Sequence, residues 1–191
     1  MCYPSCTAEN LPVALSLSPN TMYKMKERET LSHGFGPYFD RDSKLLILGS
    51  FPSVKSREAS FYYGHPQNRF WRVLAAVCLA PLPETLDEKK QFLSAQHIAL
   101  YDVIESCSIV GSADSSIADV VVTDLTQVLE NSQIGTHIFT NGAKAHELYM
   151  KYSYPLTGLC AEKLPSTSPA NAAFSLDRLV AEWRERLSSA L

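Results

Sequence analysis

The sequence predicts an α/β fold: a three-layer α/β/α sandwich with a central, mostly parallel, roughly four-stranded sheet. Three observations lead there. Short apolar runs alternate along the chain with longer segments of helical period, the order that a parallel sheet with crossover helices requires. Each run is apolar at successive positions, as a strand buried on both faces must be. The chain has 191 residues, enough for one domain with helices over both faces of such a sheet.

Taken in order, residues 1–30 show no sustained period and mix Ser, Asn, Pro and Lys. They are expected to form a mobile tail before a single domain over 31–191. The first strand is KLLILGS (44–50), closed by Gly49 and by Pro52 beyond it. Helices follow at 68–79 and 84–95. In the first of them Phe70, Val73, Leu74 and Val77 recur on one face, which Trp71 and Cys78 widen. HIALYDV (97–103) reads as a second strand and THIFTN (136–141) as a third, which breaks at Gly142 into the helix AKAHELYMKY. A fourth strand falls at 158–164. PSTSPANA then enters a final amphipathic helix with Leu176, Leu179, Val180, Trp183 and Leu187 on its buried face. In sheets of this kind ligands bind beyond the carboxyl ends of the strands. GSFPS and LPSTSPAN, the two most unusual segments, both fall at such ends.

Composition narrows the function. A 46% hydrophobic content excludes wholesale disorder. No apolar run approaches the roughly 20 residues of a membrane helix. The N-terminus lacks the charged start and apolar core of a secretory signal, which points to a cytoplasmic protein. A net charge of −3 argues against holding nucleic acid by bulk electrostatics, so a case for DNA must come from a site. The cysteines Cys2, Cys6, Cys78, Cys107 and Cys160 contain no C-x-x-C pair. Neither zinc nor a disulfide framework is indicated, and reduced, mostly buried thiols are expected.

The first site segment is GSFPSVKSREASFYYGHPQNRFW (49–71). A tight loop after a buried strand is followed by a cluster of polar and aromatic groups: Tyr62, Tyr63, His65, Asn68, Phe70 and Trp71. Such density at a strand end suits a binding site better than a core. Asn68 stands at the head of a helix, where a capping role is also open to it. The second segment, 165–171, is short, rigid and rich in hydroxyls. Ser168 and Pro169 suit a helix start, and a helix N-terminus with free N–H groups also suits a phosphate. Asn141 and Gly142 end the third strand, Asn-Gly being an ordinary turn pair as well. Asp102, Ser106 and Ser112 are further polar residues near a strand end, with no role that spacing assigns.

In these two segments the sequence resembles the uracil-DNA glycosylase superfamily, and within it the hypoxanthine-DNA (deoxyinosine) glycosylase branch. YDVIESC, GSADSSI and FTNGAKA are similar to that branch too, so the resemblance spans roughly 33–187 in order. It implies a monofunctional base-excision enzyme that hydrolyses the N-glycosidic bond of an extruded, deaminated base, hypoxanthine first. The implied partner is double-stranded DNA carrying that base, bound by a monomer without metal, cofactor or membrane. Tyr63 would stack on the extruded base, with Phe51, His65 and Asn141 as further base contacts. Relatives often carry an Asn or Asp in the first loop to orient water; here Phe51 stands in its place, and Asn68 is the implied catalytic substitute. An amide is no strong base, so its contribution would be orientation and polarisation. Ser53, Lys55, Ser166, Ser168, Pro169, Ala170 and Asn171 are the implied DNA contacts. Ala170 is too small to fill an evacuated base site alone, a place where relatives often have Leu. Lys55, Arg57, Arg69, Arg72 and Lys163 are the candidate phosphate cations. Uracil carries the same acceptor–donor edge as hypoxanthine, so a uracil- or mismatch-directed enzyme remains the alternative, ahead of a non-catalytic nucleic-acid-binding module. A serine hydrolase is disfavoured by the lack of a G-x-S-x-G elbow.

Overall fold

The computed structural model describes residues 29–110 and 117–191. It opens with β1 (Glu29–Ser32) and β2 (Leu45–Gly49), then α1 (Val54–Ala59), α2 (Phe70–Val77) and α3 (Leu86–Ala95). β3 (Ile98–Asp102) runs almost directly into β4 (Ile104–Ile109); β5 (Ala118–Val122) and α4 (Thr126–Glu130) follow. β6 (Ile138–Asn141) leads into α5 (Ala143–Leu148), a π-helical turn (Tyr149–Ser153) and α6 (Tyr154–Thr157). β7 (Glu162–Leu164) and α7 (Leu176–Leu187) close the chain.

The main sheet has four strands in the order β3-β2-β6-β7, every pair parallel. All positions of β2 and β3 are buried. Successive side chains point to opposite faces of a strand, so both faces of this sheet are covered and the sandwich has three layers. Leu45, Leu46, Ile47 and Leu48 form its centre. The helices form where their apolar residues share a face: α2 buries Phe70, Trp71, Val73, Leu74 and Val77, and α7 buries Leu179, Trp183 and Leu187. Those two faces meet, with the Phe70 and Trp183 rings 5.8 Å apart and nearly perpendicular. α3 starts at a reciprocal cap between Thr85 and Glu88.

The four expected strands and the terminal helix are present. The sequence reading lacked a second sheet, antiparallel, of order β1-β4-β5. Its strands carry little apolar signal: β1 is ETLS with three exposed residues, and no position of β5 is fully buried. The reading also lacked α1 and took AKAHELYMKY as one helix, which the π-helical turn interrupts. Of the expected tail, residues 1–28 lie outside the described residues, as do Cys2, Cys6 and most of GSADSSI. Glu29 and Thr30, the last two residues of the expected tail, pair with Ile109 and Ser108 in a strand. The cysteine expectation needs correcting too: Cys107 is buried, but Cys78 is half-buried and Cys160 exposed. Among the described residues no helix is long and apolar enough to cross a membrane.

Candidate active site

All four strands of the main sheet end at one cleft of about 430 Å³, a size that suits a small planar ligand. Gly49 ends β2, Asp102 ends β3, Asn141 ends β6, and the segment after β7 supplies Ser166, Ser168, Pro169 and Ala170. The loop after β2 contributes Phe51, Ser53, Tyr63, His65 and Asn68. Ten of the twelve expected site residues therefore border one space. Lys55 and Asn171 do not. Lys55 is ion-paired with Glu58 at 2.7 Å on the exposed side of α1. Asn171 donates from its amide to the Ser166 carbonyl and stiffens its own loop.

The cleft wall is aromatic and tightly set. The Tyr63 ring lies on that of Phe70, with centroids 3.7 Å apart and planes within 12°. Tyr63 has φ +54°, a left-handed conformation that a bulky residue adopts at a cost. Its hydroxyl is buried without a well-formed hydrogen bond. Burial and the Asp102 carboxylate push the pKa of that hydroxyl well up, opposed by the neighbouring Asn141 amide. Phe51 is buried, with the Arg57 guanidinium 5.6 Å from its ring centre. His65 accepts at Nδ1 from the backbone of Gln67, a local turn bond.

The two site segments are joined by a chain of hydrogen bonds through Thr167, a fully buried residue that sequence reading passed over. The Thr167 N–H donates to Asn141 Oδ1 (3.0 Å), and Asn141 Nδ2 donates to Thr167 Oγ1 (2.9 Å). The Thr167 hydroxyl in turn donates to Asn68 Oδ1 (2.9 Å), which also accepts from the Phe70 N–H (3.0 Å). Backbone donors sit at both ends of this chain, so neither amide can be flipped. Asn68, one residue before the N-cap Arg69, accepts the first N–H of α2 with its oxygen and keeps its NH₂ group for the cleft; no described residue accepts from it.

Arg69 corrects another expectation. Offered as a phosphate cation, it is instead bound to the carbonyls of Thr167, Ser168, Asn171 and Phe174, gripping the second segment from within. Trp183 adds a bond from its indole N–H to the Pro165 carbonyl (2.9 Å). Gly142 has φ +101°, and a Cβ there would press on Ser166 at 2.9 Å, so only glycine lets β6 turn into α5 against that loop. Among the described residues no group of three or more His, Cys, Asp or Glu side chains is placed to hold a metal ion.

Fold and cleft together define an α/β protein with a cleft between an aromatic wall and a hydroxyl-rich loop at the sheet's carboxyl edge, a shape that suits a flat, hydrogen-bonding group. Residues 37–188 match the model of the uracil DNA glycosylase superfamily, and the chain belongs to that superfamily. It is 37% identical over 156 residues to a hypoxanthine DNA glycosylase of Methanosarcina acetivorans, covering 80% of this chain and 96% of that protein. It is 30% identical over 115 residues to a hypoxanthine DNA glycosylase of Methanosarcina barkeri, covering 60% and 73%. The solution NMR structure of a candidate uracil DNA glycosylase from Methanosarcina acetivorans superposes with a TM-score of 0.65 at 33% identity, over 80% of this chain and 96% of that one.

Proposed function

We propose that this protein excises hypoxanthine from double-stranded DNA by hydrolysing the bond between the base and C1′. The observation that carries the reading is the locked Asn68 amide, whose NH₂ group borders an aromatic cleft big enough for one extruded base. The relatives named as hypoxanthine DNA glycosylases support the choice of base.

The geometry supports a role for each residue. Tyr63, backed on one side by Phe70, offers its ring to the base. The oxygen of Asn68 is already occupied, so this residue acts as a donor: it holds the water oxygen and cannot remove a proton. Water adds to C1′ as the bond to the base breaks. The bonding pair leaves with the base, one water proton ends on the base, and a hydroxyl remains on C1′. Phe51 and Asn141 close the base pocket and His65 its rim. Ser53, Ser166, Ser168, Pro169 and Ala170 line the path of the DNA strand, with Lys55 and Asn171 at its margin. The protein acts as a monomer, with no metal or cofactor.

Single-turnover excision from duplexes carrying hypoxanthine, uracil or xanthine tests the reading. Hypoxanthine should be released fastest. No release of any of the three would refute it, and release of uracil alone would move the protein to the uracil-directed alternative.

A further inference from the structure

The cleft is bordered by a carboxylate that the mechanism above leaves idle. Asp102 ends β3 beside its register partner Gly49 on β2. A Cβ at Gly49 would overlap Asp102 Oδ1 and stand 3.4 Å from the Tyr63 hydroxyl. Because Gly49 has no side chain, the carboxylate lies across the end of β2, where it borders the cleft.

Its two oxygens differ. Oδ2 accepts from His33 Nε2 at 2.9 Å, and the His33 ring is wholly buried among Phe35, Phe51, Tyr62 and Tyr101. Oδ1 receives no hydrogen bond from any described residue. The side chain is only 7% exposed, and it borders the cleft. A carboxylate oxygen that faces a cleft without a protein donor takes its hydrogen bond from water, or from a ligand group that displaces the water. The two side-chain amide oxygens that border the cleft are occupied: Asn68 Oδ1 by Phe70 and Thr167, and Asn141 Oδ1 by Thr167.

We infer that Asp102 Oδ1 accepts the ring N–H of the extruded base and thereby selects deaminated bases, an inference that rests on the excision function proposed above. Deamination converts a ring nitrogen with a lone pair into an N–H beside a carbonyl: adenine becomes hypoxanthine, and cytosine becomes uracil. A carboxylate has only lone pairs to offer. It pairs with the N–H of the deaminated base and repels the lone pair of the parent. Burial favours this role over water activation: Asp102 is only 5% exposed, and the far, pairing edge of an extruded base enters furthest from solvent while its sugar stays with the strand outside. His33 is then a positioning residue that fixes the carboxylate through Oδ2.

The test measures binding to duplexes made uncleavable by 2′-fluorination at the target sugar, carrying hypoxanthine, 1-methylhypoxanthine or adenine. The wild type should bind hypoxanthine at least about tenfold more tightly than either of the others, since both lack the ring N–H. Asp102→Asn can keep its oxygen on His33 and turn its NH₂ to the base; its preference for hypoxanthine over adenine should vanish or reverse. Equal wild-type affinity for hypoxanthine and 1-methylhypoxanthine overturns the inference, even if the variant does not fold. An undiminished preference in folded Asp102→Asn overturns it as well. Wild-type excision of hypoxanthine from ordinary duplex is measured alongside: its presence leaves the proposed function standing whatever Asp102 does.

Discussion

The two ends of the Asn68 amide can be told apart by experiment. Its oxygen accepts from Phe70 and Thr167, and its NH₂ group is the one proposed for the reaction. Asn68→Asp keeps an acceptor for both donors and loses the NH₂. Its melting temperature should stay close to native while single-turnover excision falls at least about tenfold, the usual scale for a lost polar contact at a reacting centre. Native excision by a folded Asn68→Asp would reduce this residue to a helix cap. Tyr63 can be dissected in the same way. Its hydroxyl is buried and poorly paired, so Tyr63→Phe should cost nothing or gain up to about 1 kcal/mol in urea unfolding. Tyr63→Leu keeps much of the packing on Phe70 but has no flat face. It should lose most of the preference for damaged over undamaged duplex, worth on the order of 1–3 kcal/mol for a stacked base. Unchanged preference in Tyr63→Leu would leave Tyr63 as a packing residue only.

At the scale of elements, the site depends on how firmly the loop after β7 is held to α2. Arg69, at the start of α2, binds four carbonyls of the segment 167–174. Removing a charged donor from several half-buried acceptors costs more than one ordinary hydrogen bond. Arg69→Met should lower stability by about 2–4 kcal/mol and speed hydrogen exchange of the 166–171 amides. The dependence of DNA affinity on salt separates this role from phosphate binding. Its slope should be unchanged, whereas loss of a phosphate contact reduces it by about one. The small antiparallel sheet contributes in a similar way. β1 pairs with β4 and delivers His33, whose N–H donates to the Glu105 carbonyl at 2.7 Å, to the back of the cleft. A sheet with little core of its own thus orients Asp102 from behind.

For the whole molecule, net charge and ligand chemistry set the conditions of use. A chain of net charge −3 gains little from long-range attraction to DNA, so recognition rests on the cleft and the two loops around it. Among the described residues no three His, Cys, Asp or Glu side chains are grouped as a closed metal site would require. Excision should therefore be unaffected by a chelator such as EDTA; loss on chelation, restored by one particular metal, would show a ligand set that this reading lacks.

The amino-acid sequence by itself determined the layered architecture and the strand ends at which the cleft opens. Period and run length report burial, and burial is what separates a two-sided parallel strand such as LLILG from an amphipathic helix such as α7. Two segments of unusual composition at strand ends marked the cleft, and most residues singled out there do border it. Only the tertiary structure decided which polar groups are spent and which are free. The Asn68 amide is fixed by Thr167, 99 positions away; the Asp102 carboxylate is held by His33, 69 positions away; and Arg69 is consumed by a loop about as distant as Thr167. Such partnerships leave no periodic trace, because a hydrogen bond depends on where two atoms meet in space and not on the spacing of residue types along the chain. The antiparallel sheet escaped for a related reason. Its exposed, short strands are held by pairing with each other, and pairing is a property of the fold.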